Sequence, residues 1–187
     1  MVDYKEAFTA EKKVFEILKR SKKLAKYKLE LHTSDQYGID IEATAPGYEE
    51  FAIEIESTQG NKWPSDAPYP VTWSKFSVPV RKRKFYERHT MALFVKVNKD
   101  LTRAAVIPMA YACSADIEGY DNQEDRHFNC NDFFVMFDSK HPALCFCKIG
   151  KLATVIDEQF IQLARMKRIN AKYTDMRPTF EKKARRK

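Results

Sequence analysis

Acidic side chains alternate with apolar ones in two short segments of the chain, residues 39–43 and 51–57. Each segment contributes two acids, and the four are Asp40, Glu42, Glu54 and Glu56. Because successive side chains of a β-strand point to opposite faces, all four would share one face if the segments pair as a hairpin. Like charges facing each other destabilise a sheet, and a hard divalent cation such as Mg²⁺ or Mn²⁺ would compensate them through oxygen ligands. The pattern therefore predicts a metal site.

A strand pair with one solvated acidic face is the plainer interpretation of the same pattern, and it is common in antiparallel sheets. Two neighbouring features favour the metal. Gly38 directly precedes the first acidic segment, where the backbone could approach a ligand closely. Glu11 falls between Phe8 and Phe15 on the inward stripe of a predicted helix, where an unpaired charge would be costly.

Groups suited to nucleic acid follow the acids along the chain. Residues 58–77 form a predicted long loop rich in proline and aromatic residues, and long loops in compact domains are often functional. Cations and indole rings in this loop and just after it would bind phosphates and stack on bases. These nucleic-acid-binding candidates are Lys62, Trp63, Trp73, Arg81, Arg83 and Lys84. For both tryptophans the alternative is packing against the sheet or a partner subunit.

The chain has 187 residues and a formal net charge of +7, with basic clusters at 19–28, 81–84 and 181–187. This length fits one domain, and no apolar run approaches the roughly 20 residues of a membrane span. The N-terminus lacks the apolar segment of a signal peptide. We therefore expect a cytoplasmic protein with no membrane partner, whose basic bias favours polyanions.

Hydrophobic spacing predicts the elements that would position the acids. Helices are expected at 3–26, 78–89 and 153–169, and strands at 27–33, 39–43, 51–57, 91–97, 104–109, 133–137 and 144–149. This order predicts an α/β fold: a helix, a three-strand meander, a helix and a strand, with a mixed central sheet flanked by helices. We expect a single domain over 1–180, with a core at about 3–110, a C-terminal elaboration at about 111–170 and a basic tail at 181–187.

This order and these acids resemble the PD-(D/E)XK nuclease superfamily, which has the restriction-endonuclease-like core. The family's aspartate on the second strand matches Asp40, and its (D/E)-x-K motif on the third strand is matched by Glu54-Ile55-Glu56. The glutamate that many members carry on the first helix matches Glu11. The resemblance covers residues 3 to about 97 and implies a Mg²⁺- or Mn²⁺-dependent endonuclease that cuts DNA.

The chain departs from the family motif at Glu56, where the family carries lysine. Some restriction enzymes of the superfamily have a second glutamate there, so the resemblance still permits activity. An ammonium group could instead come from the following loop or helix, from Lys75, Lys82 or Lys84. The alternative function is a catalytically inactive nucleic-acid-binding or assembly protein that retains the nuclease fold. A third class is an interaction protein with a merely acidic sheet face.

The resemblance implies that Asp40 and Glu54 hold the metal ion, with the Ile55 carbonyl as a further ligand. Glu56 would accept a proton from the attacking water or hold a second ion. The charge that builds on the phosphate would be stabilised by one of three cations, Lys75, Arg81 or Lys82. Because cutting both strands of DNA commonly needs two sites, we also expect a homodimer.

Overall fold

The structure is a computed structural model that describes residues 4–32, 39–46, 50–58, 63–68, 75–79, 91–114, 117–119 and 133–184. Three α-helices are present in these ranges: α1 (Tyr4–Lys19), α2 (Met109–Ser114) and α3 (Leu152–Ala184). The strands are β1 (Lys28–Leu31), β2 (Ile41–Thr44), β3 (Phe51–Ser57), β4 (Lys75–Pro79), β5 (Ala92–Val97), β6 (Arg103–Pro108), β7 (Ile117–Gly119), β8 (Phe133–Asp138) and β9 (Cys145–Lys148).

The main sheet has six strands in the order β1-β2-β3-β5-β6-β9. Its β3–β5 pair is parallel and the other pairs are antiparallel, so the sheet is mixed. The prediction of an α/β fold with a mixed central sheet flanked by helices is therefore confirmed. A parallel pair needs a crossover connection, and β4 lies within the one that joins β3 to β5. That strand pairs instead in a second sheet, of order β4-β8-β7.

One face of the main sheet, which we call the helical face, carries Ile41, Ile53 and Val95 and packs against α1 and α3. Alternation along the strands supplies its apolar side chains, because every second residue points this way. The Phe51 and Phe160 rings are stacked here with centroids 4.1 Å apart. This layer joins the C-terminal helix to the same core as α1.

The opposite face carries Ala52, Phe94 and Ala105 beside Glu54, Glu56 and Lys96, and we call it the carboxylate face. Phe76 and Val78 of β4 pack into its apolar cluster. The second sheet therefore lies over this face, as the edge-to-face contact between the Phe76 and Phe94 rings shows, with centroids 6.1 Å apart.

The predicted strands shift by at most two residues at either end, and β4, β7 and α2 were not predicted. Each of the three predicted helices also differs from the structure. The first helix ends at Lys19 and not near residue 26, because Ser21 starts a separate 3₁₀ turn over Lys22–Leu24 by accepting a hydrogen bond from the Lys23 amide (3.3 Å). The predicted start of a helix at Val78 is wrong, since Val78 pairs with Val135 in β4–β8. Pro79 is tolerated there because β4 is an edge strand.

The last helix, α3, is the third difference, because it continues past residue 169 to Ala184. A helix of this length extends for about 50 Å. No helix in the described ranges is both long and apolar enough to cross a lipid bilayer.

Candidate functional site

Two glutamates of β3 are placed on the carboxylate face by strand alternation. Ile53 and Ile55 take the helical face, so Glu54 and Glu56 point the other way. Glu54 is buried, with 2% of its surface exposed, whereas the Glu56 side chain keeps 28%. A buried carboxylate needs compensation by hydrogen bonds, an opposite charge or a metal.

Asp40 lies just before β2 and joins these glutamates through the backbone of β3. Its Oδ2 accepts a hydrogen bond of 2.6 Å from the Ile55 amide. Ile41 and Ile53 form the last residue pair of the β2–β3 ladder. The Ile55 amide lies two residues beyond Ile53, and Asp40 supplies its hydrogen-bond acceptor. Continued by one residue, the same register brings Asp40 opposite Glu54.

The Ile55 carbonyl belongs to the same arrangement. The N–H and C=O of one strand residue point to the same neighbouring strand. Since the Ile55 amide meets Asp40, its carbonyl oxygen also points towards the Asp40 side. The structure thus brings together Asp40 and the Glu54-Ile55-Glu56 segment, as the sequence predicted.

A buried lysine, Lys96, completes this group and was missed by the sequence-based prediction. It lies on β5 in register with Glu56, and its Nζ is 3.0 Å from Glu56 Oε1. Only 4% of Lys96 is exposed. A signal for it exists in the sequence, because it is the single charged residue in the apolar stretch 91–97. A charge inside a central strand must find a partner in the fold.

The oxygen atoms of the site suit a hard cation such as Mg²⁺. Glu56 Oε2 and Thr58 Oγ1 are buried and have no hydrogen-bond partner within the part of the chain that the structure describes. Across those same residues, no group of three or more acidic, histidine or cysteine side chains could hold a metal ion. Mg²⁺ commonly binds through one or two carboxylates and retains several waters. A metal site of two carboxylates and the Ile55 carbonyl stays a prediction.

Two further acids belong to the predicted pattern: Glu42, which shares the carboxylate face because it pairs with Ala52, and Glu11 of α1. Glu42 Oε2 is 3.2 Å from His32 Nε2, on the side of β1. Glu11 is half-buried on α1, which packs on the helical face, so it and Glu54 start from opposite faces of the sheet. The role of Glu11 as a metal ligand stays a prediction.

The predicted nucleic-acid contacts are placed only in part. Trp63 is 2% exposed, donates a hydrogen bond of 3.3 Å to the Ala67 carbonyl and packs edge-on against Phe146. Trp63 therefore packs in the core and has no exposed ring face on which a base could stack. Lys75 is described by its backbone alone, in β4. The remaining candidates lie outside the described residues: Lys62, Trp73, Arg81, Lys82, Arg83 and Lys84.

The basic cluster at 19–28 belongs to the helical side of the molecule. Leu24 of this segment packs in the helical-face core, and Lys26 Nζ lies 2.7 Å from Asp157 Oδ1 of α3. The hydrogen bond to Asp157 raises the pKa of Lys26. Lys28 at the end of the cluster is the exception, because its register with Thr44 places it on the carboxylate face, where it pairs with Glu30 at the edge of the sheet.

The free thiols of β9 are poor nucleophiles. Burial raises the pKa of Cys147 to about 11 and also raises the pKa of Cys145. Since the thiolate is the reactive form, neither side chain has the environment of an activated cysteine. The chemistry of the described residues centres on the carboxylates.

Comparison of the chain with protein-family models, with curated proteins and with solved structures gave no significant match.

Proposed function

We propose that the protein is a divalent-metal-dependent nuclease that hydrolyses phosphodiester bonds in DNA and has a restriction-endonuclease-like core. The observation that carries this proposal is the hydrogen bond between Asp40 Oδ2 and the Ile55 amide. This bond joins the aspartate that precedes β2 to the acidic segment of β3. The same face of the sheet holds the buried Lys96. The order α1, β1, β2, β3 and, after the crossover, β5 supports the same core.

In this proposal Asp40 and Glu54 hold Mg²⁺ or Mn²⁺, and the Ile55 carbonyl is a further ligand. Bound there, the cation would supply polarisation of the scissile phosphate and a more acidic water. The burial of Glu54 strengthens its electrostatic interactions, because the local dielectric is lower than that of water. The backbone of β3 fixes the Asp40 carboxylate before any substrate binds, which removes part of the ordering cost.

A cleavage assay on the full chain tests the proposal, with duplex, nicked, branched and single-stranded DNA, and with RNA, in Mg²⁺, Mn²⁺ or EDTA. We expect cutting with either metal and none in EDTA. Asp40→Asn and Glu54→Gln should each reduce the rate by about 10²-fold or more while the circular dichroism spectrum stays unchanged. Matched controls are Asp100→Asn and Glu158→Gln, which change exposed acids away from the site. Wild-type rates in both site variants would contradict the proposal.

An inactive nucleic-acid-binding protein that retains the fold is the second candidate. The ion pair between Glu56 and Lys96 favours it, because one of the three acids is already neutralised without a metal. This candidate binds DNA at low salt, where electrostatic contacts are strongest, and shows no cutting with any metal. The proposed nuclease, by contrast, would act on duplex DNA as a homodimer, since two strands need two sites.

A further inference from the structure

Lys96 is the cation that the described residues place beside Glu56 on the carboxylate face. The parallel register of β3 and β5 sets it beside Glu56, and the 3.0 Å separation of Nζ and Oε1 is that of a charge-assisted hydrogen bond. Its positive charge offsets that of Glu56, the carboxylate that it meets. The lysine therefore belongs to the electrostatics of the same site.

The Lys96 ammonium is held in a defined direction. Beyond Glu56, its Nζ donates to the carbonyl and the hydroxyl of Ser77 in β4, at 3.1 and 3.3 Å. It also lies 5.4 Å from the centre of the Phe76 ring and 5.9 Å from that of Phe94. An ammonium has three donors, so these contacts orient all of them. The aromatic rings add cation–π attraction and exclude water.

We propose that Lys96 is the catalytic cation of the nuclease and that Glu56 is a positioning residue that holds it; this inference rests on the proposed function. In the reaction a water oxygen forms a new bond to phosphorus while one P–O ester bond breaks. The proton of the attacking water passes to solvent, and the leaving oxygen takes a proton from solvent. Negative charge builds on the phosphoryl oxygens meanwhile, and an ammonium directed at them stabilises that state.

The contacts with Ser77 explain how a buried lysine reaches a phosphate. A charged phosphate oxygen is a stronger acceptor for an ammonium than a neutral carbonyl or hydroxyl. Lys96 therefore exchanges its Ser77 hydrogen bonds for the phosphate and keeps Glu56 as its fixed partner.

Two other roles of the pair make different predictions. If Glu56 itself accepts the proton of the attacking water, its charge is essential and Lys96 only neutralises it. If the pair is only structural, with Lys96 joining the two sheets through Ser77, replacing both charged groups together preserves the fold, because a paired substitution leaves no buried charge unbalanced. Variants of Glu56 alone and of both residues together separate these roles from the proposal.

The experiment compares Glu56→Gln, the double variant Glu56→Gln with Lys96→Met, and the exposed control Lys99→Met. It measures kcat with Mg²⁺, DNA affinity in Ca²⁺ and the thermal midpoint. We expect Glu56→Gln to lower kcat about 10-fold, and the double variant to lower it a further 10²-fold with DNA affinity within about twofold of wild type. Lys96→Met alone would leave Glu56 without its ion pair and destabilise the fold, so the experiment uses the double variant in its place.

The outcomes distinguish the inference from the proposed function. If the double variant folds and cuts as fast as Glu56→Gln alone, Lys96 has no catalytic role and the inference is overturned. A complete loss of kcat in Glu56→Gln alone overturns it too and makes Glu56 the base. If wild type does not cut, or Asp40→Asn cuts as wild type does, the proposed nuclease function fails instead.

Discussion

The two faces of the main sheet are made by the same strands and yet have opposite chemistry. On the helical face, Ile53 and Ile55 of β3 pack with α1 and α3 in an apolar layer. The carboxylate face carries the alternate residues of β3, Glu54 and Glu56. Glu54 is buried and Glu56 is partly buried. Burial of apolar side chains stabilises the first face without any partner of special geometry, whereas each charge on the second needs one.

This difference separates stability from chemistry within one strand. The helical face is a general core in which hydrophobic side chains of suitable size suffice. The carboxylate face includes Asp40, Glu54, Glu56 and Lys96 at positions where apolar residues would fit the sheet without needing a partner. Proteins keep such groups in buried places mainly where a site requires them. The comparison therefore predicts that substitutions on the two faces have distinct effects on folding and on cutting.

The largest effect is expected from Phe160→Ala on the helical face. It removes a ring that stacks on Phe51 at 4.1 Å and meets Tyr27 at 5.5 Å, so the free energy of unfolding should fall by about 3–5 kcal/mol. Urea denaturation measures this loss. Cutting per folded molecule should remain at the wild-type rate.

Phe94→Ala is the matched change on the carboxylate face, since Phe94 is equally buried and belongs to β5. Phe94→Ala should lower the free energy of unfolding by a similar amount. It should also lower the cutting rate per folded molecule, because the centre of the Phe94 ring lies 5.9 Å from the Lys96 ammonium. Equal activities of the two variants would mean that the faces do not differ in function.

A smaller effect is expected from Mg²⁺ binding to the carboxylate face. A ligand that binds only the folded state at ten times its Kd raises the free energy of unfolding by about 1.4 kcal/mol. Thermal denaturation of wild type with and without millimolar Mg²⁺ should show this increase, and Asp40→Asn should remove it. The exposed control Asp100→Asn should keep it. An equal Mg²⁺ response in Asp40→Asn would show that the ion binds elsewhere.

The smallest effect concerns an ion pair at the rim of the helical face, between Lys26 and Asp157. The Lys26 side chain is 44% exposed, so solvent screening limits its contribution to below about 1 kcal/mol. The hydrogen bond to Asp157 raises the pKa of Lys26 above its ordinary 10.5, so the folded state binds the proton more tightly. The stabilisation is therefore fully present below pH 10.5 and is lost as the pH rises through the folded-state pKa.

Urea denaturation of wild type and Lys26→Met at pH 7 and at successive values above 10.5 measures this pair. The difference between the two proteins should be largest at pH 7 and should shrink as Lys26 loses its proton. A difference that grows with pH would contradict the assignment.

Much of the sheet was predictable because the alternation of side chains that marks a strand is a local property of the sequence. Apolar and acidic residues alternate from Ile53 to Glu56 in β3, and the predicted bounds 51–57 are those of the structure. The segment 78–89 shows the limit of local signals. A proline in the first turn is typical of a helix, but Val78 and Pro79 close a strand whose partner, β8, lies far along the chain. Pairing with a distant strand overrides a local preference of this kind.

The acidic site shows the same division between sequence and tertiary structure. The sequence by itself determined which side chains share a face, since a period of two residues follows from strand geometry alone, and it thereby predicted Asp40, Glu54 and Glu56. Only the tertiary structure decided which cation pairs with Glu56. The parallel register of β3 and β5 sets Lys96 against Glu56, and that register depends on the crossover between the two strands and not on any spacing within either.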